Sequence, residues 1–230
     1  MNNTASEKSH SNRVRYRHDL GNDRWIAEHL FPGLKNGFFI EAGATNGVNG
    51  SATYILEKEL QWKGLCVEPI PWQNERISEF RDCFVDNRAL WKESGETLEF
   101  TIFPDRTGHS GLTSTNKNIS KMEFDNEAKQ LVSVTTVTLE DLLEEYKAPK
   151  VIDYFCLDVE GAEADVLGAF NFDEKYCIKA WSIEGHACNE IMLNAGYERV
   201  INPYTDNSFE TYWVHESVEI DPINYIKPDR

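Results

Sequence analysis

The stretch Phe38-Phe39-Ile40-Glu41-Ala42-Gly43-Ala44-Thr45-Asn46-Gly47-Val48-Asn49-Gly50 is a short apolar run that holds one acid and opens directly into a glycine-spaced loop. Such a run suits a parallel strand buried on both faces. The glycines permit positive φ and close approach of a ligand, and Ser51 to Leu60 then reads as a helix whose first N–H groups face that ligand. Gly43 and Gly47 are four apart and Gly50 follows three later, which is neither G-x-G-x-x-G nor G-x-x-x-x-G-K-[ST], so no pyrophosphate is implied. An acid just before a glycine turn instead suits a ligand with a cationic group.

A second acid points to the same ligand. Lys63-Gly64-Leu65-Cys66-Val67-Glu68-Pro69 is another short apolar strand, and Glu68 falls 21 residues after Gly47, about where the first β-α-β unit of a nucleotide-binding sheet places its ribose-binding acid. Pro69 cannot continue a central strand and leaves the acid at its tip. Each motif alone also reads as a loop glycine or a surface glutamate. Together, two acids at consecutive strand ends fit S-adenosylmethionine, whose amino-acid end carries a cation and whose ribose offers two hydroxyls.

Working outward, short apolar strands alternate with helical patterns, the sign of an α/β, mostly parallel, doubly wound sheet. Helices are expected over Asp23 to Phe31, Gln73 to Phe80, Leu139 to Tyr146 capped by Thr138, Ala162 to Phe170 and His186 to Ala195. Further strands are expected near Cys83 to Val85, Ile152 to Asp158, Ala180 to Glu184 and Phe209 to His215, with Thr97 to Phe103 as an antiparallel strand. Residues 104–130 are polar and rich in Gly, Ser and Asn, too long for an ordinary connection, and read as a lid or insertion. Residues 1–15 read as an unstructured tail and 16–230 as a single domain.

Composition narrows the function. A formal charge of −16, from 23 Lys and Arg against 39 Asp and Glu, argues against nucleic acid as a substrate. Five widely spaced cysteines without a C-x-x-C pair read as free thiols in a reducing compartment. With neither a membrane-spanning run nor a signal-peptide core, the expectation is a cytoplasmic protein without a membrane span.

Sites in doubly wound sheets lie at the carboxyl ends of strands, which singles out Asp158 and Glu160 after Tyr154 to Leu157. Glu163 reads equally as a first-turn acid satisfying a helix dipole. Asn87, after the third strand, offers a carboxamide that both donates and accepts, as an adenine edge requires. Glu184 and His186 at the next strand end make an oriented general base, with a helix cap and a solvated histidine as the alternative. A metal reading of Asp158, Glu184 and His186 is also open, but their spacing is not diagnostic of a metal site, and no metal is assigned.

The chain resembles the FkbM-type S-adenosylmethionine-dependent methyltransferases through several blocks in order. These are Gly21-Asn22-Asp23, Phe38 to Gly47, Ser51-Ala52-Thr53 with Leu56-Glu57-Lys58, Trp62 to Pro69, Asn87 to Leu90, Val137-Thr138-Leu139 with Leu142-Leu143, Leu157 to Glu163, and Ile183-Glu184 with His186. The similarity spans about Tyr16 to Tyr212, and Leu157 to Glu163 is its most specific part. It departs at Thr45-Asn46, Ala52 and Asn22. The resemblance implies a Rossmann-like class I methyltransferase fold with an antiparallel edge strand, and S-adenosyl-L-methionine as cofactor, held by Glu41, Gly43, Ala44, Gly47, Ser51, Glu68, Pro69, Asn87 and Asp158. It implies as acceptor a hydroxyl of a sugar, glycan or polyketide-like small molecule, and the candidate catalytic residues, from their place at adjacent strand ends, are His186, Glu184 and Asp158. A nicotinamide-dependent oxidoreductase and a cofactor-binding scaffold without methyl transfer are the competing classes.

Overall fold

The computed structural model describes residues 15–172 and 175–218, so the expected tail lies outside the described residues except for Arg15. In chain order the strands are β1 (Phe38–Ala42), β2 (Lys63–Val67), β3 (Phe84–Asp86), β4 (Ala89–Leu90), β5 (Thr97–Ile102), β6 (Gly111–Leu112), β7 (Gln130–Val137), β8 (Val151–Leu157), β9 (Cys177–Glu184), β10 (Tyr197–Val200) and β11 (Glu210–His215). Seven of them form one sheet in the order β10-β11-β9-β8-β1-β2-β3. Within it β3, β2, β1, β8 and β9 run parallel.

The period of two along the central strands explains why both faces are covered. Ile40, Ala42, Leu65, Val67, Phe155 and Leu157 share one apolar cluster with Leu142, Leu143, Val166, Leu167 and Met192. Those partners come from helices α4 (Leu139–Glu145), α5 (Glu163–Ala169) and α6 (Asn189–Asn194). The intervening Phe39, Cys66, Tyr154 and Cys156 pack on the other face against Trp25, Ile26, Leu56 and Ile77. These belong to a leading helix (α1, Asn22–Arg24, continuing as a π-helical turn Trp25–Leu30), to α2 (Tyr54–Leu60) and to α3 (Pro71–Phe80). The expected Thr138 cap is present, its side chain accepting from Asp141 N at 3.2 Å.

Three expectations need correction. The antiparallel strand of the main sheet is not its edge: β11 lies between β9 and β10 and runs antiparallel to both. The strand Thr97 to Phe103 is antiparallel but belongs to a second, four-stranded sheet in the order β4-β7-β5-β6. Its apolar residues Phe100 and Ile102 find Ile70, Trp91, Leu112 and Val134 as partners there, in a cluster separate from the two faces of the main sheet. Finally, α2 begins at Tyr54 and not at Ser51, because the chain from Ser51 to Thr53 is wrapped around the Glu41 carboxylate. All five cysteines are free thiols.

Candidate active site

A cavity of about 410 Å³ opens at the carboxyl ends of the parallel strands, within the size range of small-molecule sites. Its floor comes from the turns after β1, β2 and β8. Gly43 makes the first of these possible. With φ at +81°, it lies so close to β8 that an added Cβ would sit 1.8 Å from the Asp158 carbonyl oxygen. The glycine therefore serves the meeting of two strand ends as well as any ligand.

Glu41 is 3% exposed and takes three hydrogen bonds from its own chain. Its Oε2 accepts Ser51 Oγ at 2.7 Å and Thr53 Oγ1 at 2.5 Å, and its Oε1 accepts Ala52 N at 2.7 Å. The fully buried Arg81 side chain approaches it at 3.7 Å and donates to Gly47 O at 2.8 Å, Thr53 Oγ1 at 2.9 Å and Glu57 Oε2 at 2.9 Å. Buried charge is tolerated when it is paired and hydrogen-bonded in this way. The consequence is a fixed loop from Gly43 to Thr53, with Ala44, Gly47 and Ser51 in its supporting side and not on the cavity wall.

Glu68 is placed differently. It is 3% exposed, lines the cavity, and anchors each oxygen on one backbone N–H: Thr45 N to Oε2 at 2.8 Å and Ile70 N to Oε1 at 2.9 Å. Burial pushes its carboxyl up to about 7, against those two N–H groups, which favour the ionised form. Each oxygen keeps a lone pair for a further donor.

At the end of β8, Leu157 is paired with Ile183 of β9, so Asp158 and Glu184 emerge side by side. Glu160, at φ +58°, brings a third carboxylate back, and one oxygen from each of the three lies within 4.8 Å of the others. Burial, and then the neighbouring acids, raise all three carboxyls above their ordinary values. Asp158 is half-buried as a residue, its Oδ1 is sealed from solvent, and its carboxyl is in hydrogen-bond contact with that of Glu184. Glu163 accepts from Val159 N at 2.9 Å and from Gly161 N at 3.1 Å, holding the turn that carries Glu160.

The structure does not bring His186 to this group. Gly185, at φ +71°, turns the chain, and the exposed imidazole has Nε2 3.2 Å from the Ser208 carbonyl oxygen and Nδ1 3.5 Å from Arg199. Asn87 is likewise exposed and off the cavity wall, where Ala89 and Leu90 stand instead. Glu41, Gly43, Glu68, Pro69 and Asp158 line the cavity, and Glu184 adjoins it through Asp158.

Two further walls come from segments outside the parallel strand ends. The segment His18-Asp19-Leu20 crosses the cavity because Asp23 Oδ2 accepts Arg17 N at 2.6 Å and His18 N at 3.4 Å, which explains the Gly-Asn-Asp block. Its neighbour Asn22 is fully buried and donates to Glu210 Oε2 at 2.6 Å, fixing another lining acid. The polar segment 104–130 contributes Thr107, Gly108, Ser110 and Leu112 to the opposite wall. It is tied down by Phe124, 1% exposed against Phe103, and by Asn118 Nδ2 donating to Glu160 Oε2 at 2.5 Å.

No helix among the described residues is long and apolar enough to cross a membrane. No curated protein matches the chain. A family model does: that of the methyltransferase FkbM domain, over residues 41–198, from the acid of β1 to the second residue of β10. That span holds the end of β1 with Glu41, Glu68, the carboxylate trio and the polar wall, and it covers well over half of the 230 residues, so the chain belongs to the FkbM methyltransferase domain family.

Proposed function

We propose that this methyltransferase takes its methyl group from S-adenosylmethionine and delivers it to a hydroxyl oxygen of a sugar or polyketide-like small molecule. The observation that carries this reading is the charge of the cavity wall. Six carboxyl residues line it, Asp19, Glu41, Glu68, Asp158, Glu160 and Glu210, with no Lys or Arg among the described lining residues. Such a wall suits a ligand bearing a sulfonium and an ammonium, and disfavours the pyrophosphate of a nicotinamide dinucleotide. The order β3-β2-β1-β8-β9-β11-β10 supports a Rossmann-like class I methyltransferase arrangement, with its ligand beyond the carboxyl ends of the strands.

The cofactor, when bound, supplies an activated methyl carbon. Glu68 is oriented by Thr45 N and Ile70 N so that its carboxylate can accept both ribose hydroxyls. Glu41, which accepts from Ser51, Ala52 and Thr53, shapes the loop and adds negative field. Asp158 and Glu160, whose proton affinity is raised by burial and by neighbouring acids, line the cavity where a carboxylate can take the proton of an acceptor hydroxyl. Saturating S-adenosylmethionine should raise the melting temperature by mass action, and a screen of hydroxylated metabolites should yield methylated product. No change in melting temperature would remove the cofactor; stabilisation without any product would leave a binding scaffold.

Glu68→Ala is expected to weaken cofactor binding by about 1–3 kcal/mol, the cost of unpaired hydroxyls. Because the ligand needs the ionised carboxylate and the ligand-free group titrates near 7, wild-type affinity should rise with pH up to about 7 and then level off. Ligand-free stability should move the opposite way. The folded state keeps a proton that the unfolded state releases at its ordinary value of 4.5, so the Glu68 contribution is present below 4.5 and lost as pH climbs to about 7. Calorimetric titration of wild type and Glu68→Gln across this range checks both trends; parallel curves for the two proteins would take Glu68 out of the site.

Proton transfer is not placed on His186, which is exposed and held by Ser208 O. His186→Ala should keep its turnover on the true acceptor. A loss of about 10²-fold or more, the scale of positioned proton transfer, would return the imidazole to the mechanism.

A further inference from the structure

We infer that Cys66 and Cys83 form a redox modification site, a dithiol that a peroxide converts into an intramolecular disulfide. Cys66 lies in β2 and is fully buried, whereas Cys83, just before β3, is half-buried. Their Sγ atoms are 3.6 Å apart, although 17 residues and the whole of α3 separate them along the chain.

The sheet explains the meeting. Cys66 is level with Val85 of β3 in the parallel ladder, and Cys83, two residues before Val85, turns to the same face. Both thiols pack there in the cluster that holds Phe39, Ile77 and Tyr154. Closing 3.6 Å to a bond of about 2.05 Å is a movement of about 1.5 Å. Cys83 precedes the first ladder pair, Leu65 with Phe84, so that movement falls on a residue outside the sheet. The pairing is also selective. Cys156 shares this face, but Glu41 is level with both Cys66 and Cys156 and stands between them, which puts the two thiols two strand spacings apart, about 9.5 Å, beyond disulfide reach. Cys188 packs on the opposite face.

The chemistry runs from the outer thiol to the inner one. Cys83, which solvent reaches, attacks the peroxide as its thiolate; the O–O bond breaks, the departing hydroxide takes up the thiol proton as water, and Cys83 becomes a sulfenic acid. Cys66 Sγ then attacks that sulfur, and the sulfenic hydroxyl leaves with the Cys66 proton as a second water. Two electrons pass from the two sulfurs to the peroxide. The Cys83 sulfur and burial raise the Cys66 thiol well above its ordinary value, against the Arg81 guanidinium, so Cys66 holds its proton until the sulfenic acid is beside it. The bond joins two parts of the cavity frame: Glu68 follows Cys66 by two residues and lines the cavity, and Arg81 precedes Cys83 by two and donates to Gly47 O.

The experiment treats the reduced full chain, without cofactor or acceptor, with excess hydrogen peroxide at neutral pH, then counts thiols after denaturation and maps the peptides by mass spectrometry. The count should fall from five to three, with the Cys66 peptide joined to the Cys83 peptide, and dithiothreitol should restore all five. Cys83→Ser should keep its four thiols over the same time, whereas Cys177→Ser, which alters the other half-buried cysteine, should still lose two. Five thiols remaining in wild type would overturn the site, as would a link between any other pair or a Cys83 that ends as sulfinic acid without a link. The wild-type peptide map decides the matter even if a variant fails to fold. No methyl transfer enters the readout, so its failure and that of the cofactor reading are separate results.

Discussion

Arg81→Leu is expected to destabilise the fold by about 3–5 kcal/mol, the scale for leaving a buried charge without its partner. The arginine side chain is completely buried and lies between two acids that are themselves nearly sealed from water, Glu41 and Glu57. Its removal strands Glu57 Oε2 and also takes donors from Gly47 O and Thr53 Oγ1. Those last two belong to the loop after β1, so the damage is to the cavity wall as well as to stability. Chemical denaturation measures the first effect, and cofactor titration of the folded fraction measures the second. Arg81→Lys should recover only part of the loss, because one ammonium cannot match the planar fork. A cost below about 1 kcal/mol for Arg81→Leu would place it among ordinary surface ion pairs and refute the network.

Gly43→Ala should be nearly as damaging, by about 2–5 kcal/mol, through two additive penalties. The first is the left-handed backbone at φ +81°, which a Cβ disfavours. The second is a contact of 1.8 Å with the Asp158 carbonyl oxygen, a backbone atom that cannot swing aside as a side chain does. Relief requires the turns after β1 and β8 to separate, which moves Asp158 relative to Glu68. The variant should therefore melt earlier and bind cofactor more weakly even under conditions where it is folded. Unchanged stability and affinity would show that the two turns are not in this contact. Gly50, where an added Cβ meets nothing within 4 Å, is the internal control for positive φ alone, at +74°.

The strands and the acids at their tips were legible because each is a local property. An apolar run bounded by Gly43 or Pro69 announces its own end, so Glu41 and Glu68 could be placed at strand ends from sequence. The alternation of strand and helix likewise implied the parallel sheet with two covered faces. What each acid does was decided by residues far away in the chain. Glu41 reads as a ligand-binding carboxylate and does line the cavity, yet its partners within the chain, Arg81, Ser51 and Thr53, converge on it only once α3 is packed on the sheet. Glu184 and His186 are two residues apart, yet the turn at Gly185 sends them to different environments, and Glu160 takes the place beside Asp158 and Glu184 that sequence proximity offered to His186. The second sheet is not legible in the sequence for a related reason: alternation in Thr97 to Phe103 reveals a strand but not which partner buries its apolar side. Chain-local patterns thus determined the elements and their ends, whereas strand register, turn direction and long-range packing decided which carboxylates face the cavity, because those depend on distances in space that no spacing along the chain encodes.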